Sequence, residues 1–180
     1  MRMKRRFQFL HEPGKAPQSS SYMWLYRTGG DTQKPIVLYE YQPGRSGTYP
    51  KKFLNGFRGY LHADGYAGYH ALPEEITVVG CWAHARRKFD EAVKSLPKGK
   101  VSGSSAAQGL AYCNLLFEIE QGLEDKTAEE RHKQWLEQAK PVLDALWSWA
   151  SIRNAAPKSA LGKALTYLKE QWPYLSNYLK

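Results

Sequence analysis

One carboxylate in this chain stands in a place suited to chemistry. Asp64, within the stretch GYLHADGYAGYH (residues 59–70), closes a run that reads as a strand, and Gly65 follows it directly. The glycine lets the backbone turn away so that the carboxylate can project. Hard cations such as Mg²⁺ take oxygen ligands, and phosphoryl transfer with two divalent ions needs several carboxylates converging on metals about 3.5–4 Å apart. The same Asp-Gly pair also orders turns, and on residue type alone that is its commoner use.

A second group lies in CWAHARRKF (residues 81–89), where a strand runs into a helix: Cys81, His84, Arg86, Arg87 and Lys88. Cations in the first turns of a helix oppose its dipole, at roughly 0.3–1 kcal/mol each when exposed. A DNA phosphate near the helix start would account for them, whereas plain snorkelling into solvent is the blander reading. Cys81-x-x-His84 is half of a zinc site at most, because a tetrahedral site needs four ligands. The other cysteine, Cys113, falls on an apolar helical face, and nothing in the pattern fixes the geometry of His62 or His70. His84 is therefore read as ordering the junction by a hydrogen bond. Tyr60, Tyr66 and Tyr69 could stack on splayed bases, but packing against a sheet edge is the preferred reading. Trp135, Trp147, Trp149 and Trp172 read as helix-packing core.

The elements that must hold these groups change character near residue 97. Before it, YMWLYRTGG (22–30) and PIVLYEYQPG (35–44) read as an antiparallel hairpin, rich in aromatic and β-branched residues and closed by turn signals. YPKKFLNGF reads as a short helix with Pro50 in its first turn, and RGYLHAD as a strand. EITVVGCW (75–82) reads as a strand buried on both faces, and residues 83–96 as a helix with Ala85, Phe89, Ala92 and Val93 inward. Beyond the PKGKVSGSS linker the pattern is helical. Thr127 and Glu130 form a capping box opening a helix that runs to Trp149 and is interrupted by Pro141. We thus expect an α/β unit over 1–97 and a helical region over 98–180. A ribonuclease H-like mixed sheet, three antiparallel strands followed by parallel strands joined by helices, fits the first.

Bulk properties set limits. The 13% aromatic content argues for a folded chain, and two cysteines are too few for a disulfide scaffold, so a reducing cytoplasm fits. No apolar run approaches the ~20 residues that span a bilayer, and the apolar part after the basic start MRMKRR is too short for a signal peptide. The net charge of +9 is lopsided: residues 1–60 carry +8 and residues 61–180 carry +1. A basic first third interleaved with tyrosine suits a polyanion such as DNA, or else a solvated basic face.

From YEYQPGRSGTYPKKFLNGFRGYLHADGYAGYH through CWAHARRKFDEA, the chain closely resembles the central domain of the insertion sequence 66 family of bacterial transposases, with ADGYAGY and CWAHARRKF the most specific segments. The resemblance implies a ribonuclease H-like catalytic domain with a helical insertion. It further implies an Asp-Asp-Glu triad holding two Mg²⁺ ions to cut and join DNA at transposon ends. Asp64 matches the second Asp, and Cys81 and His84 match a Cys-x-x-His signature lying between that Asp and the Glu. The family's first Asp would fall near Met3, where there is no acid, and its Glu would follow Lys180, where the chain stops. The expectation is therefore a transposase fragment, truncated at both ends and inactive alone. The alternative is a non-catalytic DNA-binding or interaction module that pairs with a full-length transposase as an oligomer and modulates it.

Overall fold

A computed structural model describes residues 5–6, 13–14, 16, 20–29 and 34–180. The position near Met3 and most of the predicted first strand, FQFL, lie outside the described residues. The chain divides into two compact units, residues 1–79 and 80–180. The sequence pattern changes at 97, but the helix that precedes that point packs with the helical elements, for reasons given below.

In the first unit, β2 (Tyr22–Arg27) pairs antiparallel with β3 (Val37–Gln42), in a register running from Tyr22↔Gln42 to Arg27↔Val37. The short β1 (Arg5–Arg6) pairs with the other edge of β2, giving the order β1-β2-β3. Side-chain alternation along β2 sends Trp24 and Tyr26 inward, and both are buried. They meet α1 (Thr48–Phe53), whose Phe53 ring lies flat on Tyr26 with centroids 3.7 Å apart and planes 6° from parallel. Pro50 sits early in α1, where a missing N–H costs no helical hydrogen bond.

β4 (Gly59–Ala63) and β5 (Ile76–Gly80) form a separate two-stranded sheet. The Gly59 N–H donates to the Glu75 carbonyl at 3.0 Å, so the starts of the two strands lie side by side. The fold is mixed α/β, but the described strands do not join into the single mixed sheet expected from sequence. One expectation needs correction. Ile76, Val78 and Gly80 of β5 are buried while Thr77 and Val79 are only partly so. The Ile-Thr-Val-Val run thus buries one face, and β-branched residues suit such a half-buried pleat as well as a fully buried strand.

In the second unit, α2 (Trp82–Lys94), α3 (Ser105–Gln121), α4 (Ala128–Gln134), α5 (Lys140–Ser151) and α6 (Ala160–Leu175) surround a core that includes Phe89, Cys113, Leu116, Leu146, Leu168 and Leu175. α2 belongs here because Ala85, Phe89 and Ala92 recur at helical spacing and find their apolar partners on α3, α5 and α6. Gly109 of α3 makes this possible, since a β-carbon there would lie 2.4 Å from the Phe89 ring. Ser104 and Ser159 cap α3 and α6 by accepting from the backbone N–H three residues on.

The capping box at Thr127 and Glu130 is present, with both reciprocal bonds formed. The helix it opens is continuous through a π turn (Trp135–Ala139) directly before Pro141, where the Lys140 N–H reaches back five residues to Trp135. A proline cannot donate to the preceding turn and its ring crowds it, so the wider turn relieves the conflict without breaking the helix. Of the four tryptophans read as core, Trp149 is buried, whereas Trp147 is 37% exposed and stacks on Trp172 with centroids 4.7 Å apart.

Candidate functional site

Asp64 sits one residue beyond the end of β4, half-buried, and Gly65 begins the turn. Its Oδ1 accepts the backbone N–H of Tyr66 at 3.2 Å. This is an Asx turn, the ordering role that an Asp-Gly pair takes most often. The carboxylate therefore does structural work here, whatever else it does.

The turn leads into a packed aromatic corner. Tyr69 is buried, and its ring meets Trp24 and Tyr66 edge-on, with planes 89° and 88° apart. Burial first, and then the charge of Asp64, push the Tyr69 hydroxyl well above the usual tyrosine range, while Arg45 opposes the shift. The Tyr66 hydroxyl donates to the Arg45 carbonyl, and the Arg45 guanidinium lies over the Tyr66 ring, 3.9 Å from its centroid. Beneath them two glycines touch. A β-carbon on Gly47 would lie 2.7 Å from the Gly68 carbonyl oxygen, and one on Gly68 would lie 2.3 Å from the Tyr66 ring. Gly68 keeps this spacing for packing, since its backbone needs no left-handed angle. Tyr66 and Tyr69 pack as expected, whereas Tyr60 is 54% exposed and does not join them. Arg45, Gly47 and Trp24 belong to this corner although they lie far from Asp64 in the chain. The signal that could have found them is the pairing of PGRSG with GYAGY, two glycine-bearing loops with aromatic neighbours.

The second group lies in the helical unit. Cys81 is buried and occupies the N-cap of α2 in an extended conformation. The His84 backbone N–H donates to the Cys81 carbonyl at 3.0 Å, and the Trp82 indole N–H donates to the Leu175 carbonyl at 3.2 Å. These bonds order the helix start. Of the imidazole, Nδ1 is buried without a hydrogen-bond partner among the described residues.

Arg86, Arg87 and Lys88 do not form one patch. α2 begins at Trp82, so they occupy its second turn, where the dipole is already weak. Successive residues also point about 100° apart around a helix. Arg86 turns toward α3: its Nε donates to Asn114 Oδ1 at 2.7 Å and its guanidinium lies 6.0 Å from the Phe117 ring. There it borders a groove of about 420 Å³ shared with Ala83, Glu118 and Gln121. Arg87 is exposed and Lys88 partly so. Cys113, directly behind, has its thiol pushed up to about 12 by burial, with Arg86 pulling the other way.

Asp64 lies in the first unit; Cys81, His84 and the three cations lie in the second. Among the described residues no three His, Cys, Asp or Glu side chains converge as metal ligands.

The description "Transposase IS66 family" matches residues 6–180. The chain belongs to that family. Three relatives from Sinorhizobium fredii carry the same region. Uncharacterized protein y4hP is 31% identical over 88% of this chain and 32% of its own length. Uncharacterized proteins y4qI and y4jD are 28% and 27% identical, each over 93% of this chain and over 33% and 35% of their own lengths. The chain therefore spans about a third of the length of the relatives it matches. No solved structure matches it. Among the described residues no helix is long and apolar enough to cross a membrane.

Proposed function

We propose that this chain is a working segment of an IS66 transposase, acting on DNA phosphodiesters in the cleavage and strand-transfer steps of transposition. In this reading the first unit is part of a ribonuclease H-like core, and Asp64 is one carboxylate of its Asp-Asp-Glu set. The family match over residues 6–180 carries the reading, supported by the position of Asp64 just past the end of β4, half-exposed on a turn. Mg²⁺ bound to a complete set would act as a Lewis acid on the phosphodiester. One carboxylate does not make such a set, so the chain alone is inactive in strand cleavage.

The test is to replace the matching segment of a full-length family member with this chain and measure transposition in cells. Asp64→Asn should abolish it, whereas undiminished transposition would refute the assignment of Asp64. Separately, the chain alone should not nick supercoiled DNA in Mg²⁺. Nicking that Asp64→Asn removes would overturn the claim of inactivity.

The exposure of Arg87 and the +8 charge of residues 1–60 favour a second reading, a DNA-binding module that modulates a full-length transposase, with DNA as its partner. Strong, salt-sensitive binding without metal that falls on Arg87→Ala would support it.

A further inference from the structure

We propose that Arg45 is a DNA-phosphate contact, held beside Asp64 by Tyr66. This rests on the transposase reading and names a residue that neither the sequence motifs nor the family description singles out. Tyr66 is fixed at three points: its backbone N–H is given to Asp64, its hydroxyl is given to the Arg45 carbonyl, and its ring carries the Arg45 guanidinium at 3.9 Å. A single tyrosine therefore ties the carboxylate-bearing turn to the loop bearing the cation. The backbone contact between Gly47 and Gly68 holds the same two loops together from below.

Arg45 is exposed and has no carboxylate partner among the described residues, so the stack leaves its N–H donors for a ligand. Stacking on an aromatic face also reduces the rotamer freedom that an arginine would otherwise lose on binding, and a planar guanidinium fits a phosphate through two parallel hydrogen bonds. A carboxylate that must approach a phosphodiester repels it, and a fixed cation alongside offsets that repulsion. The exposed Lys51, Lys52 and Arg58 of the same unit add to the positive field, and no pocket is needed for an extended polyanion.

The test measures binding of the whole chain to a fluorescent DNA duplex of arbitrary sequence, without metal, from 50 to 200 mM salt. Each phosphate contact contributes about 0.9 to the slope of log affinity against log salt. Over that range wild type should therefore lose about 3.5-fold more affinity than Arg45→Ala. Arg45→Lys should keep the wild-type slope while binding more weakly, a split that a purely structural role would not produce. Tyr66→Phe should also keep the slope and lose affinity, because the charge remains but its anchor is gone. Lys158→Ala controls for removing one positive charge elsewhere. If Arg45→Ala does not melt cooperatively, Arg45→Gln, which keeps much of the stem, replaces it. Equal slopes for wild type and both uncharged variants, with DNA bound, would overturn the assignment of Arg45 and leave the transposase reading standing. Absence of DNA binding by wild type would overturn both.

Discussion

Substituting Gly109 by alanine tests whether the α2–α3 contact is as tight as it looks. Local propensity favours the change, since alanine is better than glycine inside a helix by about 0.8–1 kcal/mol. The tertiary contact opposes it. The new β-carbon would lie 2.4 Å and 2.5 Å from two atoms of the Phe89 ring. Phe89 is fully buried and backed by Trp149, whose ring centroid is 6.1 Å away, so it has nowhere to retreat. Overpacking of a well-filled core costs about 1–3 kcal/mol, and a rigid, enclosed ring places this case near the upper end. The net expectation is a loss of about 2 kcal/mol. For a unit of roughly a hundred residues, each kcal/mol lowers Tm by about 4–8 °C. Trp82, Trp135, Trp147, Trp149 and Trp172 all lie in this unit, so fluorescence-detected melting reports mainly on it. Phe89→Leu removes the obstructing ring edge, and the double variant should cost less than the sum of the singles by at least about 0.5 kcal/mol. A Gly109→Ala protein that melts at or above the wild-type temperature, or a strictly additive cycle, would refute the reasoning. The consequence reaches the candidate site, because α3 also carries Asn114, the partner of Arg86.

Two further outcomes follow from the turn at Asp64 and from the thiol behind Arg86. Asp64→Ala should destabilise the chain by about 0.5–1.5 kcal/mol in urea, through loss of the acceptor for Tyr66 N–H. Asp64→Asn keeps an acceptor oxygen and should cost less, and equal losses would show that the Asx turn does not hold the loop. The Cys113 thiol titrates near 12 in the native chain against an ordinary 9.0. Above about pH 9 the unfolded chain loses this proton while the native chain keeps it, so stability falls as pH rises, by about 1 kcal/mol between pH 9 and 10 and by up to about 1.4 kcal/mol per unit from there toward the native value. Cys113→Ala should be less stable throughout but should lose about 1.4 kcal/mol less than wild type between pH 8 and 10. Identical pH profiles would mean that the thiol is not shielded. The raised Tyr26, Tyr69 and Tyr178 hydroxyls act in both proteins and cancel from the comparison.

Local chemistry determined much of this protein in advance. The hairpin, α1, the strand ending beside Asp64, and the caps at Ser104, Thr127 and Ser159 follow from turn residues, side-chain alternation and short-range hydrogen bonds, which act within a few positions of the chain. The motifs around Asp64 and Cys81 were also legible, because the backbone near each is shaped by its immediate neighbours. Tertiary structure alone decided the rest. That β5 hides only one face, that α2 sides with the helices, and that Trp147 reaches solvent all depend on what lies opposite, which no periodicity records. The run Arg86-Arg87-Lys88 reads as one patch in sequence, but helical geometry separates the three, and Asn114 claims the first. Arg45 and Gly47 join the Asp64 corner through an aromatic stack and a glycine–glycine contact across some twenty residues of chain. Such contacts form only when two loops are brought together, so the sequence contains their ingredients but not their meeting.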